Sequence, residues 1–436
     1  MNNPKNSLDH IYNELGNNIC LYPFFGAFYQ TNKVVNGNKN EHNSVRPCSL
    51  ITYPYKIVTD WDITDNSIYN TRNNAAWKRM RQSFLDGKFQ EIPECQVCIN
   101  NECHGTTSPR MMNNKFYSDM LSIDIVEEVK KIAVTNEVTE VRSLDYYPSN
   151  YCNYSCIMCT GGASTQRLTY EIKVLKKYGD KQKLVLNPAD PDFFDILKTV
   201  EIINFTGGET ILQKQVIETI DYLIEQDLAK NITITLLTNA SSYPDTLQEK
   251  FAKFKSVIYT VSIDGIGDVI EYQRRGAVWS DVEKNSLKLL KTGSAVVNYV
   301  ITAVNVLSAM DFINWAYKNN IGPTRHPDQE YIFISPVNGT DDIHPCLSVN
   351  TLPTELKELA LSRLTEGRKF YADINNKFFL KIIDRFISIL NNADTMPELL
   401  PRFIEHITKE DSVSKKKLIE VYLSGRLILR MNLNLV

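Results

Sequence analysis

Three features are missing from this 436-residue chain. There is no basic tract: the densest run is Lys415 to Lys417, within a formal net charge of −3. That run reads as a solvated helix face, which argues against nucleic-acid binding. No apolar run reaches the roughly 18 residues a membrane span needs. The opening stretch MNNPKNSLDH is polar and has no apolar core of a secretion signal. These absences lead to the expectation of a soluble, cytoplasmic protein with neither nucleic acid nor membrane as partner. No internal repeat or low-complexity tract is present either, despite the Asn-rich NKVVNGNKNEHN.

Without a secretion signal, a disulfide framework is a poor explanation for nine cysteines. Metal or catalytic use is the better one. Their distribution is uneven. Cys20, Cys48, Cys95, Cys98 and Cys103 lie in the first quarter, Cys152, Cys156 and Cys159 stand together, and Cys346 is isolated. The hydrophobic content of 43% supports a sizeable core and two or three structural units.

The first 110 or so residues read as loop-rich, with one helix in AAWKRMRQSFLDG ended by Gly87. From about residue 140 the pattern changes. Strand candidates are 141–147, 200–205, 232–238, 257–263, 295–303 and 331–335, mostly β-branched or aromatic. Amphipathic helices such as LQKQVIETIDYLIEQ, VEKNSLKLLK and AMDFINWAYKN lie between them. This alternation predicts an α/β fold built as a partial, open (β/α)6 barrel of the TIM type, with chemistry at the carboxyl ends of the strands. The predicted layout is a Cys-rich loop and helix segment over 1–115, the barrel over 140–346 and a helical region over 350–436.

NYCNYSCIMC sets Cys152, Cys156 and Cys159 at C-x3-C-x2-C on the loop after the first of these strands. Three thiolates are one short of closing either a tetrahedral zinc site or a four-iron cubane. Such a set leaves one iron open to a ligand. Buried cysteines, or a zinc site completed from elsewhere, are the competing readings.

This pattern and position resemble the signature of the radical S-adenosylmethionine superfamily. The resemblance implies a 4Fe–4S cluster on the three cysteines, its fourth iron chelated by S-adenosylmethionine, which is cleaved to a 5′-deoxyadenosyl radical. It implies a one-electron reductant such as flavodoxin or ferredoxin. The family usually has an aromatic residue before the third cysteine. Met158 stands there, its backbone placed to meet the adenine.

Further motifs follow in strand order. Thr206, Gly207, Gly208 and Glu209 sit where the superfamily carries its GGE motif, which binds the methionyl amino group. Alone, such a pair of glycines is a turn. Thr238-Asn239 is similar to a T-N-G ending, with Ala240 in place of glycine. Ser262 and Asp264, two apart in SIDG, point to one face of a strand; an ordinary Asp-Gly turn is the alternative. EYQRRGAVW, with Arg274, Arg275 and Trp279, resembles a Y-x-R-x-G-x-x-W stretch of one subgroup. Arg274 is a candidate carboxylate ligand, and Asn305 a further candidate cofactor contact.

The amino-terminal pieces CLYPF, RPC, the helix with Trp77 and Arg81, and PECQVCINNECHGTTSPR resemble the auxiliary-cluster segment of twitch or SPASM radical enzymes, here ahead of the barrel. The resemblance implies a second 4Fe–4S cluster on Cys20, Cys48, Cys95 and Cys98, with Cys103 a possible substitute. Glu102, Gly105, Ser108 and Arg110 match an E-x2-G-x2-S-x-R pattern. A peptide or protein side chain is the implied substrate, with a small-molecule alcohol or sugar as the alternative. Cys346, after the last strand, is a candidate hydrogen donor to a substrate radical. The rivals from other classes are a non-catalytic zinc-stabilised binding protein and a plain electron carrier.

Overall fold

The computed structural model describes residues 6–36, 43–49, 63, 65–103, 107–176, 182–186, 189–292, 294–322, 331–337, 344–393 and 396–420. The chain divides into two compact units. One comprises Met1–Asn150, Lys181–Leu236 and Thr246–Val257; the other comprises Tyr151–Asp180, Leu237–Asp245 and Ile258–Val436. Both are mixed α/β.

In the first unit the strands β1 (Gly26–Gln30), β3 (Ser44–Arg46), β4 (Ser143–Tyr147), β6 (Ile202–Phe205) and β7 (Thr233–Thr238) pair in the order β3-β1-β4-β6-β7. Only the β1–β3 pair is antiparallel among these. β2 (Asn32–Asn36) and β5 (Gln182–Leu186) form a separate antiparallel ribbon. In the second unit β8 (Ser256–Ser262), β9 (Ala295–Ile301) and β10 (Ile332–Pro336) are parallel neighbours in that order. Parallel pairing with buried, β-branched strands is what helices on the sheet's face produce.

All six expected strands are present, within one or two residues of their anticipated ends. The loop-rich reading of the first 110 residues is corrected: β1 lies parallel to β4, with Gly26 opposite Ser143 and Gln30 opposite Tyr147. Its residues GAFYQ are buried almost throughout. A five-residue strand with no alternation leaves little periodicity to detect.

The helix Ala75–Leu85 starts where the Asn74 side chain accepts from the Trp77 N–H, and it stops before Gly87 at φ 71°. A left-handed residue there suits glycine. The helices after residue 350, Thr354–Asp373, Lys377–Asn391 and Leu400–Val413, belong to the second unit. Phe386 meets Tyr299 of β9 edge-on, and the Arg385 Nε donates to the Ile334 carbonyl of β10 at 3.0 Å. Among the described residues no helix is long and apolar enough to cross a membrane.

Candidate functional site

In the second unit the cysteine loop begins four residues after the end of β4 and is held by its own flanks. The Ser155 N–H donates to the Arg275 carbonyl at 2.8 Å and the Ile157 N–H to the Gln273 carbonyl at 2.9 Å. The YQRRG stretch thus pairs with the loop through backbone groups. Gly276, at φ 106°, approaches the Asn153 carbonyl and the Tyr154 ring so closely that a Cβ would stand 3.1 Å from each. On the other side Ser164 caps the helix Thr165–Lys173, accepting from Arg167 N–H and donating to the Tyr154 carbonyl.

Cys156 is buried and Cys159 half-buried in this loop. The neighbouring Cys156 thiol first, and the charge of Arg274 after it, hold Cys159 below the usual thiol range. Cys152 Sγ accepts from the Tyr154 N–H at 3.4 Å and lies 3.9 Å from Asn239 Nδ2. The Asn239 amide also donates to Asn153 Oδ1 at 3.0 Å. Asn239 was visible in the sequence only as the end of a strand.

Arg274 ion-pairs with Asp264 at 2.6 Å, and both are buried. Burial raises the Asp264 carboxyl, while Arg274 and the Val300 N–H, 2.8 Å away, pull against that shift. A guanidinium does not lose its proton in proteins, so Arg274 stays positively charged. Arg274 Nε, also buried, has no hydrogen-bond partner among the described residues. Asn305 donates both amide protons, to the Asp264 and Val300 carbonyls at 2.8 Å each, and accepts from Thr302 N–H. It staples the β8 and β9 ends together. Ser262 and Met158 are buried, and Trp279 packs edge-on against Trp315. Cys346 is buried on the short helix His344–Leu347; residues 338–343 just before it lie outside the described residues.

In the first unit Thr206 N–H donates to the Tyr146 carbonyl at 3.0 Å. Gly207 and Gly208 adopt φ 84° and 46°. A Cβ on Gly207 would stand 2.7 Å from the Tyr147 ring and 2.8 Å from the Ser149 carbonyl. Gly207 is therefore required by the chain that leads into the cysteine loop. Glu209 is buried beside it.

The amino-terminal cysteines also meet in the first unit. Cys20, Cys48, Cys95 and Cys98 line one pocket with Pro23 and Pro47. Burial raises the Cys20 thiol, with Cys48 adding to the shift; burial likewise raises Cys95, with Cys20, Cys48 and Cys98 adding. Cys103 is exposed at the end of the helix Gln96–Cys103 and is not among the lining residues. The E-x2-G-x2-S-x-R pattern is a clamp. Arg110 grips Glu102 with Nε at 3.0 Å and Nη2 at 2.7 Å, and its Nη1 donates to the Asn17 and Ile19 carbonyls. Gly105 lies outside the described residues. Asn114, not singled out from sequence, accepts from Leu21 N–H and donates to the Ile19 carbonyl, both at 2.9 Å. The backbone on each side of Cys20 is thus pinned. Trp77 and Arg81 are fully buried packing groups, Arg81 donating to the Arg72 and Asn136 carbonyls.

The profile of the Radical SAM superfamily matches residues 146–316. That stretch, which holds Cys152, Cys156 and Cys159, is similar to radical SAM domains, a family whose implied cofactors are a 4Fe–4S cluster and S-adenosylmethionine. No curated protein matches the chain. Among solved structures the chain is similar to SuiB of Streptococcus suis bound to S-adenosylmethionine, at 16% identity and TM-score 0.31, covering 59% of this chain and 51% of that one. It is similar to native anSMEcpe with bound AdoMet and Cp18Cys peptide, at 15% and 0.35, covering 55% and 62%. SuiB bound to its precursor peptide SuiA matches at 16% and 0.33, covering 64% and 59%. The chain thus spans 51 to 62% of these chains' length.

Cys20, Cys48, Cys95 and Cys98 share one pocket, and Cys152, Cys156 and Cys159 share one short loop; soft thiolates are the donors an iron–sulfur cluster takes. Among the described residues no group of three or more His, Cys, Asp or Glu side chains is arranged so that it could hold a metal ion.

Proposed function

We propose that the chain is a radical S-adenosylmethionine oxidoreductase of the twitch or SPASM type, built on a partial (β/α)6 barrel. Cys152, Cys156 and Cys159 hold the catalytic cluster; Cys20, Cys48, Cys95 and Cys98 hold the auxiliary one. The observation that carries this is the C-x3-C-x2-C loop, pinned through Ser155 and Ile157 to the Gln273–Arg275 backbone, inside the segment that matches the family. Three thiolates leave one iron open, and the cluster, when bound, supplies the electron that cleaves S-adenosylmethionine to a 5′-deoxyadenosyl radical.

The protein's own part is orientation. Arg274, fixed by Asp264, keeps a positive charge beside the thiolates and offers the buried Nε to an acceptor. Gly207 and Gly208 expose backbone at a strand end, where Thr206 and Glu209 would hold the methionyl end. In the second unit Ser262 and Met158 are further proposed cofactor contacts. A low-potential flavodoxin or ferredoxin would deliver the electron.

The substrate we infer is a peptide or protein side chain. Support comes from the amino-terminal cysteine segment, whose motifs resemble those of peptide-maturing enzymes. Anaerobically reconstituted, reduced protein should form 5′-deoxyadenosine from S-adenosylmethionine, and Cys156→Ala should not. Sustained cleavage by a Cys152/Cys156/Cys159 triple alanine variant would overturn the assignment. Deuterium passing into 5′-deoxyadenosine from a labelled peptide supports the substrate class. Deuterium arriving instead from an alcohol or sugar replaces it.

A further inference from the structure

The helix Leu400–Val413 carries a carboxylate that the motifs leave unexplained. Glu410 and Arg167 are 1% and 0% exposed, and their Oε1 and Nη1 are 2.7 Å apart. The other carboxylate oxygen of Glu410 accepts from Arg275. Tyr170 packs against both guanidiniums, whose central carbons lie 4.6 and 4.4 Å from its ring centroid. His406 Nε2 is 3.4 Å from Glu410, and burial pushes that imidazole down to about 3, leaving it neutral. One buried negative charge therefore faces a buried positive one, Arg167, and a half-buried one, Arg275.

Such a triad is a poor device for stability. Removing each ion from water costs several kcal/mol, and a buried ion pair is often replaceable by apolar packing. Its position suggests another use. Arg275 accepts the Ser155 N–H through its carbonyl, and the Arg167 N–H donates to the capping Ser164 hydroxyl, which itself donates to the Tyr154 carbonyl of the loop.

We propose that Glu410 is a positioning residue for the cysteine loop: it holds Arg167 and Arg275 against the loop and offsets part of their charge beside Cys156 and Cys159. The proposal rests on the reading of those cysteines as cluster ligands. Net charge and nearby hydrogen-bond donors are main determinants of a cluster's reduction potential. Reduction adds negative charge, so exposing a second cation favours the reduced form, and removing one disfavours it.

The test is a spectroscopically monitored redox titration of the reconstituted, full-length protein with and without S-adenosylmethionine; the signal that responds to S-adenosylmethionine belongs to the cluster with an open iron. Glu410→Gln should retain its iron and shift that midpoint to more positive potential. Arg275→Gln should shift it to more negative potential. Glu410→Asp should restore the native value in part. Opposite signs in the two glutamine variants are not produced by general loosening. Equal midpoints in all variants, or shifts of the same sign, would overturn the proposal. If Glu410→Gln does not accumulate as folded protein, the sign of the Arg275→Gln shift decides alone. Failure of the underlying reading looks different: the Cys152/Cys156/Cys159 triple alanine variant would then keep the wild-type iron content.

Discussion

The Tyr22 hydroxyl donates to Asp145 Oδ2 at 2.8 Å, joining a residue two places after Cys20 to the strand that leads into the Cys152 loop. Asp145 on β4 stands in register with Asn204 on β6, and Asn204 Oδ1 accepts from Thr235 on β7 at 2.6 Å. A polar row thus crosses three strands. Burial pushes the Asp145 carboxyl from 3.8 up to about 6, with hydrogen bonds from Tyr22 and Asn204 pulling the other way. Between these values the folded chain binds a proton that the unfolded chain does not. That contribution to stability is fully present below pH 4 and is lost as pH rises through 6. Asp145→Asn keeps an acceptor for Tyr22 and removes the charge. The apo variant should be more stable than wild type by about 1–3 kcal/mol at pH 8, with the gain vanishing near pH 4. Urea melts at both pH values check this; identical midpoints at pH 8 would refute it.

The two glycines after β6 should respond differently to alanine. Gly207→Ala meets both a positive φ and the Tyr147 ring. Its cost should be on the order of 2–4 kcal/mol, from left-handed strain plus overpacking. At Gly208, with φ 46°, alanine should cost about 1 kcal/mol. Gly208→Val should weaken binding of S-adenosylmethionine in equilibrium dialysis without loss of iron. Unchanged affinity would make this an ordinary turn.

The auxiliary site should empty independently of the catalytic one. Replacing Cys20, Cys48, Cys95 and Cys98 with alanine should remove about four irons per chain, the content of one cubane. Arg110→Lys keeps the charge but not the two-pronged grip on Glu102, so the pinned backbone around Cys20 should loosen. Iron and sulfide analysis should show loss from the auxiliary site first. One zinc per chain and no sulfide in the Cys152/Cys156/Cys159 triple alanine variant would mark a structural zinc site.

Cys346→Ala separates a packing thiol from a hydrogen donor. A donor role predicts lost product, intact 5′-deoxyadenosine formation, and one deuterium in product made by the wild type in deuterated water. Full product yield from the variant excludes that role.

What the sequence determined by itself is local. Cys152, Cys156 and Cys159 fall within eight residues, so their spacing alone announces a three-thiolate loop. The six strand runs carry their own pattern of β-branched and aromatic residues. Tertiary structure decided what lies far apart along the chain. Glu410 meets Arg167 across 243 residues, and Arg110 reaches the Ile19 carbonyl across 91. It also decided partners: Asp264 pairs with Arg274, and Asn305 joins two strand ends. A side chain's chemistry is written in its type, but its partner is chosen by which backbones pack together. That choice depends on the long-range burial of strands as short as β1, whose five residues carry no periodic signal of their own.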